Sequence, residues 1–202
     1  MFMHYSQIII KNWRITHEKK IKIVTVGSGA IRITKTLKES HISNYELISI
    51  GSDEKLMELS LADKKLIIGD DGHCAGGNPN KGKAWAELAK DQIKELINDT
   101  ETLILYSCLG GGTGSGATPV IAKIAKDMGI NTEIIVTVPF NFEGRKRINQ
   151  AIYSIADIMQ YFTDITIISN DDLLTTNDKH MTLREAFKVV DEIIIKKIDE
   201  IT

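Results

Sequence analysis

Several things that would mark a specialised protein are scarce in this chain. Only two cysteines, Cys74 and Cys108, occur in 202 residues. That excludes a disulfide framework and suits a reducing cytoplasm. Net charge is also near zero, at -2, so there is no electrostatic case for nucleic acid or an anionic membrane as partner. No apolar run approaches the length of a membrane span. The first twenty residues contain Ile8-Ile9-Ile10 but also His4, Lys11, Arg14, His17 and Glu18. They lack the apolar core and cleavage site of a secretory signal. The five histidines, His4, His17, His41, His73 and His180, show no zinc spacing. Internal repeats and low-complexity segments are missing too. At 43% hydrophobic and 26% charged residues, what remains describes a globular chain with one good core. One domain is expected over residues 21–202, with residues 1–20 as an extension.

Glycine, by contrast, is concentrated. Gly110-Gly111-Gly112-Thr113-Gly114-Ser115-Gly116 holds five glycines in seven positions. Upstream, Thr102 to Ser107 is an apolar, β-branched and aromatic run of strand length. Downstream, Val120, Ile121, Ile124, Ala125 and Met128 have helical spacing. This predicts a helix from Ala117 to Met128 with Pro119 near its start, where a missing N–H costs little. A helix start offers unpaired N–H groups and the positive end of a dipole, and glycines let a ligand approach the backbone. The stretch therefore reads as an anion site for phosphate. It is not a Walker loop, because no Gly-Lys-Ser/Thr closes it.

The rest of the chain alternates strand and helix. Strands are expected at 21–26, 46–50, 65–68, 132–138 and 164–169. Helices are expected at 30–39, 54–60, 83–97, 145–162 and 182–201, with a loop from Gly69 to Gly82. That alternation predicts an α/β fold, a single three-layer domain whose mainly parallel sheet has helices on both faces. Ligands of such sheets bind beyond the carboxyl ends of the strands. The loops after Val26, Ile50, Ile68, Ser107, Val138 and Ser169 should thus share one edge.

With these residues in place, a family resemblance can be stated. Gly110 to Gly116 resembles the tubulin/FtsZ signature loop. The segment from Pro139 through Phe140, Asn141, Phe142, Glu143, Gly144, Arg145 and Lys146 to Arg147 resembles a loop and helix start of FtsZ, and Asn170-Asp171 its next loop. The resemblance runs from about Ile21 to the end of the chain. It implies GTP or GDP as ligand, bound with Mg2+, and places Gly110, Gly111, Gly112, Thr113, Gly114, Ser115 and Gly116 around the phosphates. It further implies that Gly76, Gly77 and Asn78 sense the γ-phosphate, and that Glu143 and Arg147 reach the ribose and its neighbourhood. Asn170 lies in a further site loop, and Gly27 and Gly29 in the first glycine loop. Phe187 matches an aromatic that stacks on the base, and Asp191 the carboxylate that reads it. Phe187 and Asp191 are four apart on one predicted helix, and a carboxylate can accept from guanine N1–H and the 2-amino group together. Taken singly, Phe187 reads as core, Asp191 as a solvated helix charge, Glu143 and Arg147 as a surface pair, and Asn78-Pro79 as turn chemistry. Cys108 reads as a small buried residue rather than a nucleophile.

The chain departs from the family in two places. The family's first glycine loop is richer in glycine and ends in asparagine, whereas here it is Gly27-Ser28-Gly29-Ala30-Ile31-Arg32. Ser28, Ala30 and Ile31 leave less room for backbone approach, and Arg32 replaces a base-contacting amide while adding charge. The family's long helix also leads to a loop carrying catalytic carboxylates and to a second domain, whereas this sequence stops at Thr202. On the last helix, Leu183, Phe187, Val190, Ile194, Ile198 and Ile201 form an apolar stripe with charges opposite, as expected of a naturally short protein. Ile193 and Ile195 fall off that stripe and are candidates for a partner contact. Asp70, Asp71, Asp171 and Asp172 lie in predicted edge loops, but the resemblance gives none of them a catalytic role. The reading is a cytoplasmic GTP-binding protein that acts in or modulates cell division and filament assembly. It hydrolyses GTP slowly alone, and self-association or a full-length FtsZ-like subunit are its candidate partners. One alternative is a GTPase completed by a partner subunit. Another is a dinucleotide-binding oxidoreductase, since Val26-Gly27-Ser28-Gly29 with Asp53 about 24 residues on loosely matches a Rossmann fingerprint.

Overall fold

The computed structural model describes residues 20–69, 74–175 and 182–202. The expectations for Asp70, Asp71, His4, His17, His73, His180 and the first nineteen residues fall outside these. Six strands, β1 (Ile21–Val26), β2 (Tyr45–Gly51), β3 (Lys64–Ile67), β4 (Thr102–Cys108), β5 (Asn131–Val138) and β6 (Thr166–Ser169), form a sheet in the order β3-β2-β1-β4-β5-β6. Every pairing is parallel. After β1 come α1 (Ser28–Ile31) and α2 (Ile33–Glu39), and α3 (Glu54–Glu58) follows β2. Next are α4 (Pro79–Leu88) and α5 (Lys90–Ile97) after β3, α6 (Gly112–Asp127) after β4, and α7 (Arg145–Ile158) after β5. Finally, α8 (Asn170–Thr175) and α9 (Leu183–Ile201) follow β6.

The period-two alternation of the strands builds two cores. Val24, Val26, Ile48, Ile50, Leu103, Leu105, Ile134 and Val136 point to one face and pack against α4, α5, α6 and α7. Ile21, Ile23, Leu47, Ile104, Tyr106 and Ile135 point to the other, against α2 and the Val190, Ile194 and Ile198 stripe of α9. Both faces are covered, as parallel sheets require. Ile193 and Ile195 are half-buried and pack against this second core, so the structure gives them an intramolecular role. At the amino edge of the sheet, Lys22 Nζ donates to the carbonyls of Leu96 (2.8 Å) and Asn98 (2.7 Å), at the end of α5. It also meets Glu46 at 3.3 Å. A cation there satisfies carbonyls the helix leaves open.

Two helices differ from expectation in ways that matter for the site. The glycine stretch is not a loop ahead of a helix but the first turns of α6, with Gly111 as N-cap. Pro119 therefore sits inside the helix, and its missing N–H leaves the Ser115 carbonyl, four residues back, without its helical donor. The buried Ser154 hydroxyl of α7 supplies that hydrogen bond instead. The expected helix from Lys83 to Ile97 is two helices, with Ala89 at φ -88° and ψ 12° between them. The first begins early, at Pro79, because Asn78 Oδ1 accepts from the Asn80 N–H at 3.0 Å and proline fits a first helical turn. Asn78-Pro79 is thus a helix start.

Candidate functional site

All six strands run the same way, so their carboxyl ends share one edge. β1 and β4 are neighbours there, and the chain leaves them toward opposite faces of the sheet. That is the switch point where open α/β sheets place their ligands. Gly27 ends β1 with φ +80°. An added Cβ would stand 2.8 Å from the Gly114 nitrogen, and one on Gly29 would stand 2.7 Å from Cys108 Cβ. These two glycines let the loop after β1 lie against the start of α6.

Gly110 turns the chain out of β4 at φ +96°, a conformation side chains resist. Its N–H donates to Ser115 Oγ at 2.7 Å, so the turn is fixed from within. Thr113 Oγ1 shares a 2.6 Å hydrogen bond with buried Ser52. The glycines that follow are close-packed against protein. A Cβ on Gly112 would come within 2.8 Å of the Asn78 nitrogen, one on Gly114 within 2.5 Å of the Cys108 carbonyl, and one on Gly116 into the Pro79 carbonyl. Gly111 differs, since nothing lies within 4 Å of its would-be Cβ.

Beyond it lies a cavity of about 310 Å³. Gly111, Gly112, Thr113 and Gly114 form its floor, and Gly29, Gly76 and Gly77 form part of its wall. The Gly77 carbonyl is held by Gln150 Nε2 at 2.9 Å. Glu143 and Arg147, four apart across the start of α7, pair with each other on another wall. Glu143 also accepts from the Phe140 N–H at 3.0 Å, closing the turn after β5. Asn170 lines the cavity while only 5% exposed, and its Oδ1 has no hydrogen-bond partner among the described residues.

At the far end Phe187 stands edge-on to the buried Phe140, with centroids 5.5 Å apart. The Arg32 guanidinium lies over the Phe187 ring at 4.5 Å. The same guanidinium donates from Nε to Asp191 Oδ2 at 3.1 Å and from Nη2 to Oδ1 at 2.9 Å. Burial works against its charge, but the hydrogen bonds and field of Asp191 outweigh that and hold Arg32 firmly protonated. Cys108 has its thiol pushed up by burial, which leaves little thiolate for attack.

Of the residues singled out from sequence, Gly27, Asn78, Gly110, Ser115, Gly116 and Asp191 do not line this cavity. Gly27, Gly110 and Ser115 shape the turns that build it, Asn78 caps α4, and Asp191 lies behind Arg32. Ser115 and Gly116 line a second cavity of about 320 Å³ between α4 and α7. Asp171, an expected edge-loop carboxylate, accepts the Asn141 N–H at 2.9 Å. Asp53, the acid of the oxidoreductase alternative, caps α3 by accepting from Leu56 N–H at 3.1 Å. Ser28, Cys74, Ala75, Thr137, Pro139 and Val190 also line the cavity. Sequence reasoning proposed none of them as ligand-binding residues, yet Pro139 opens the FtsZ-like segment, and Thr137 and Pro139 flank Val138, one of the strand ends expected at this edge.

The donor set suits a nucleotide. The start of α6 presents N–H groups and positive potential to an anion. Asn170 brings to the cavity lining a buried side-chain oxygen that has no hydrogen-bond partner among the described residues, and the Phe187 ring there is covered by Arg32. Among the described residues no group of three His, Cys, Asp or Glu could hold a metal by itself, and no helix is long and apolar enough to cross a membrane.

Comparison with known proteins bears on the family and the fold. The family model for the GTPase domain of the tubulin/FtsZ family matches residues 13–178. The structure of an FtsZ dimer from M. jannaschii superposes with a TM-score of 0.87 at 32% identity, covering 96% of this chain and 57% of that one. CetZ2 from Haloferax volcanii, in a GTPγS-bound protofilament, gives 0.78 at 19% identity, covering 89% of this chain and 57% of its own. TubZ from Clostridium botulinum phage c-st gives 0.70 at 19%, covering 91% and 59%. The last two show the fold alone. The chain spans well under two thirds of the length of each of these structures.

Proposed function

The chain belongs to the tubulin/FtsZ family, and from that we propose that its cavity is a guanine-nucleotide site serving filament assembly or its control. The observation that carries the reading is the open face of Gly111 at the start of α6, in a cavity also lined by Asn170, whose Oδ1 has no partner among the described residues. In this reading Gly111 to Gly114 hold the phosphates, with Mg2+ arriving on them, and Gly76 and Gly77 close over the terminal one. Glu143, Arg147 and Asn170 surround the sugar, and Phe187 and Asp191 face the base. A carboxylate accepts from guanine N1–H and the 2-amino group together, whereas adenine turns a bare lone pair toward it. GTP should therefore bind more tightly than ATP, and Asp191→Ala should bring the two affinities within about twofold. Calorimetry with both nucleotides checks this, and equal affinities in the parent protein would show that Asp191 does not read the base.

The same reading limits catalysis. The resemblance assigns no described carboxylate to the attacking water, and Asp171 is engaged with Asn141. The family completes its active site across a head-to-tail contact, which needs two different faces. The described residues supply the nucleotide face, so we expect a polypeptide of these 202 residues to turn GTP over slowly and to form no long filaments by itself. Addition of full-length FtsZ-type subunits should accelerate phosphate release or cap growing filament ends. Phosphate release and light scattering, with and without those subunits, measure both. Rapid turnover with filament growth by the lone protein would refute this arrangement. The proposed setting is the cytoplasm.

A further inference from the structure

Arg32 occupies the end of the cavity that the nucleotide reading gives to the base. Its guanidinium covers the Phe187 ring and takes both oxygens of Asp191. The chemistry of this arrangement is specific. Guanine carries, in N1–H, C2 and its 2-amino group, the same planar N–C–N unit with two parallel donors that a guanidinium presents to a carboxylate. Both the ring face and the carboxylate are thus engaged by a side chain that imitates the base.

We infer that Arg32 is an internal occupant of the base seat, which guanine displaces by exchanging one donor fork for another on Asp191. This rests on the nucleotide reading of the cavity. Two exposures give the exchange its direction. The Asp191 side chain is only 10% exposed, and a carboxylate buried to that degree is costly to leave unpaired. The Arg32 side chain is 42% exposed and has water beside it once released. Asp191 is therefore always paired, with Arg32 in the free protein and with guanine in the complex. Adenine has no donor fork to offer and leaves the Arg32–Asp191 pair in place over Phe187. Arg32 thus weakens all base-dependent binding and weakens it most for bases other than guanine.

The test compares GDP and inorganic tripolyphosphate on the parent protein, Arg32→Ala and Arg32→Gln. The glutamine variant keeps one amide donor for Asp191 and guards against misfolding of the alanine variant. Both variants should bind GDP at least tenfold more tightly by calorimetry, with tripolyphosphate affinity changed less than twofold. In the parent, the 15N–1H resonance of Arg32 Nε should shift on adding GDP and stay in place on adding tripolyphosphate. GDP affinity that is unchanged or lower in both variants overturns the inference while leaving the nucleotide site standing. A parallel loss of GDP and tripolyphosphate affinity also overturns it, and makes Arg32 a phosphate ligand. If neither the parent nor the variants bind GDP at millimolar concentration, the nucleotide reading fails and the inference fails with it.

Discussion

Gly111→Val is expected to reduce GDP affinity at least a hundredfold while leaving the protein folded. The backbone permits the change, since Gly111 has φ -96° and ψ -177°, an extended conformation that valine adopts readily. Space permits it as well, because no protein atom lies within 4 Å of the new Cβ. Valine is a poor N-cap, and that costs about 1 kcal/mol at most. The affinity loss has a different origin. Gly111 lines the cavity directly ahead of the α6 amides, and branched methyl groups there would stand where a phosphate must approach. A hundredfold loss is about 2.7 kcal/mol, modest for removing a set of charge-assisted hydrogen bonds. Calorimetry with GDP, beside a urea unfolding curve, separates the two effects. A folded variant with parental affinity would mean that phosphate is held elsewhere.

That contrast between glycines was not legible in the sequence. Five glycines between a strand and a helical pattern point to a helix start, and the helix start is where the cavity lies. From spacing alone, though, all five look equivalent. The structure divides them by what would meet a side chain. Gly111 faces open space, while Gly112, Gly114 and Gly116 face backbone. Close approach of backbone to backbone and of backbone to ligand both favour glycine, and only the packing distinguishes them. Strand direction was legible to the same degree, and strand order was not. Alternation of strand and helix implied parallel pairing on one edge, and all the pairings found are parallel. The resulting order is also that of classic dinucleotide-binding sheets, so topology by itself does not separate the oxidoreductase alternative. The family match does.

Arg32 marks another limit of sequence reading. Its position in the first glycine loop put a charge where the family has a base-contacting amide. In the fold its side chain reaches Asp191, 159 residues along the chain. No local pattern announces a pair between the first helix after β1 and the last helix of the described chain. Phe187 and Asp191 could be placed together from their spacing on one helix, but their shared partner could not.

Gly116→Ala is expected to cost at least about 3 kcal/mol of stability, at the severe end for a single added methyl group. Propensity argues the other way, because alanine in a helix interior is favoured over glycine by roughly 1 kcal/mol. Packing decides the sign. The new Cβ would fall into the Pro79 carbonyl, 2.5 Å from the Lys83 nitrogen and 2.9 Å from the Gly82 carbonyl carbon. All three are backbone atoms of α4, so no rotamer change relieves the clash and the helix itself must move. α4 has little room to move, since Gly82 presses against Gly112 in the same crossing, while Trp85 and Ala86 lie in the core. Displacing α4 also shifts Asn78 and the Gly76-Gly77 turn that precedes it, so nucleotide affinity should fall along with stability. This differs from Gly111→Val, in which affinity falls and stability holds. Urea unfolding of the two variants beside the parent tests that separation. A Gly116→Ala protein within about 1 kcal/mol of the parent would mean that α4 and α6 are not locked at this crossing, and that the floor of the cavity is softer than the glycine contacts imply.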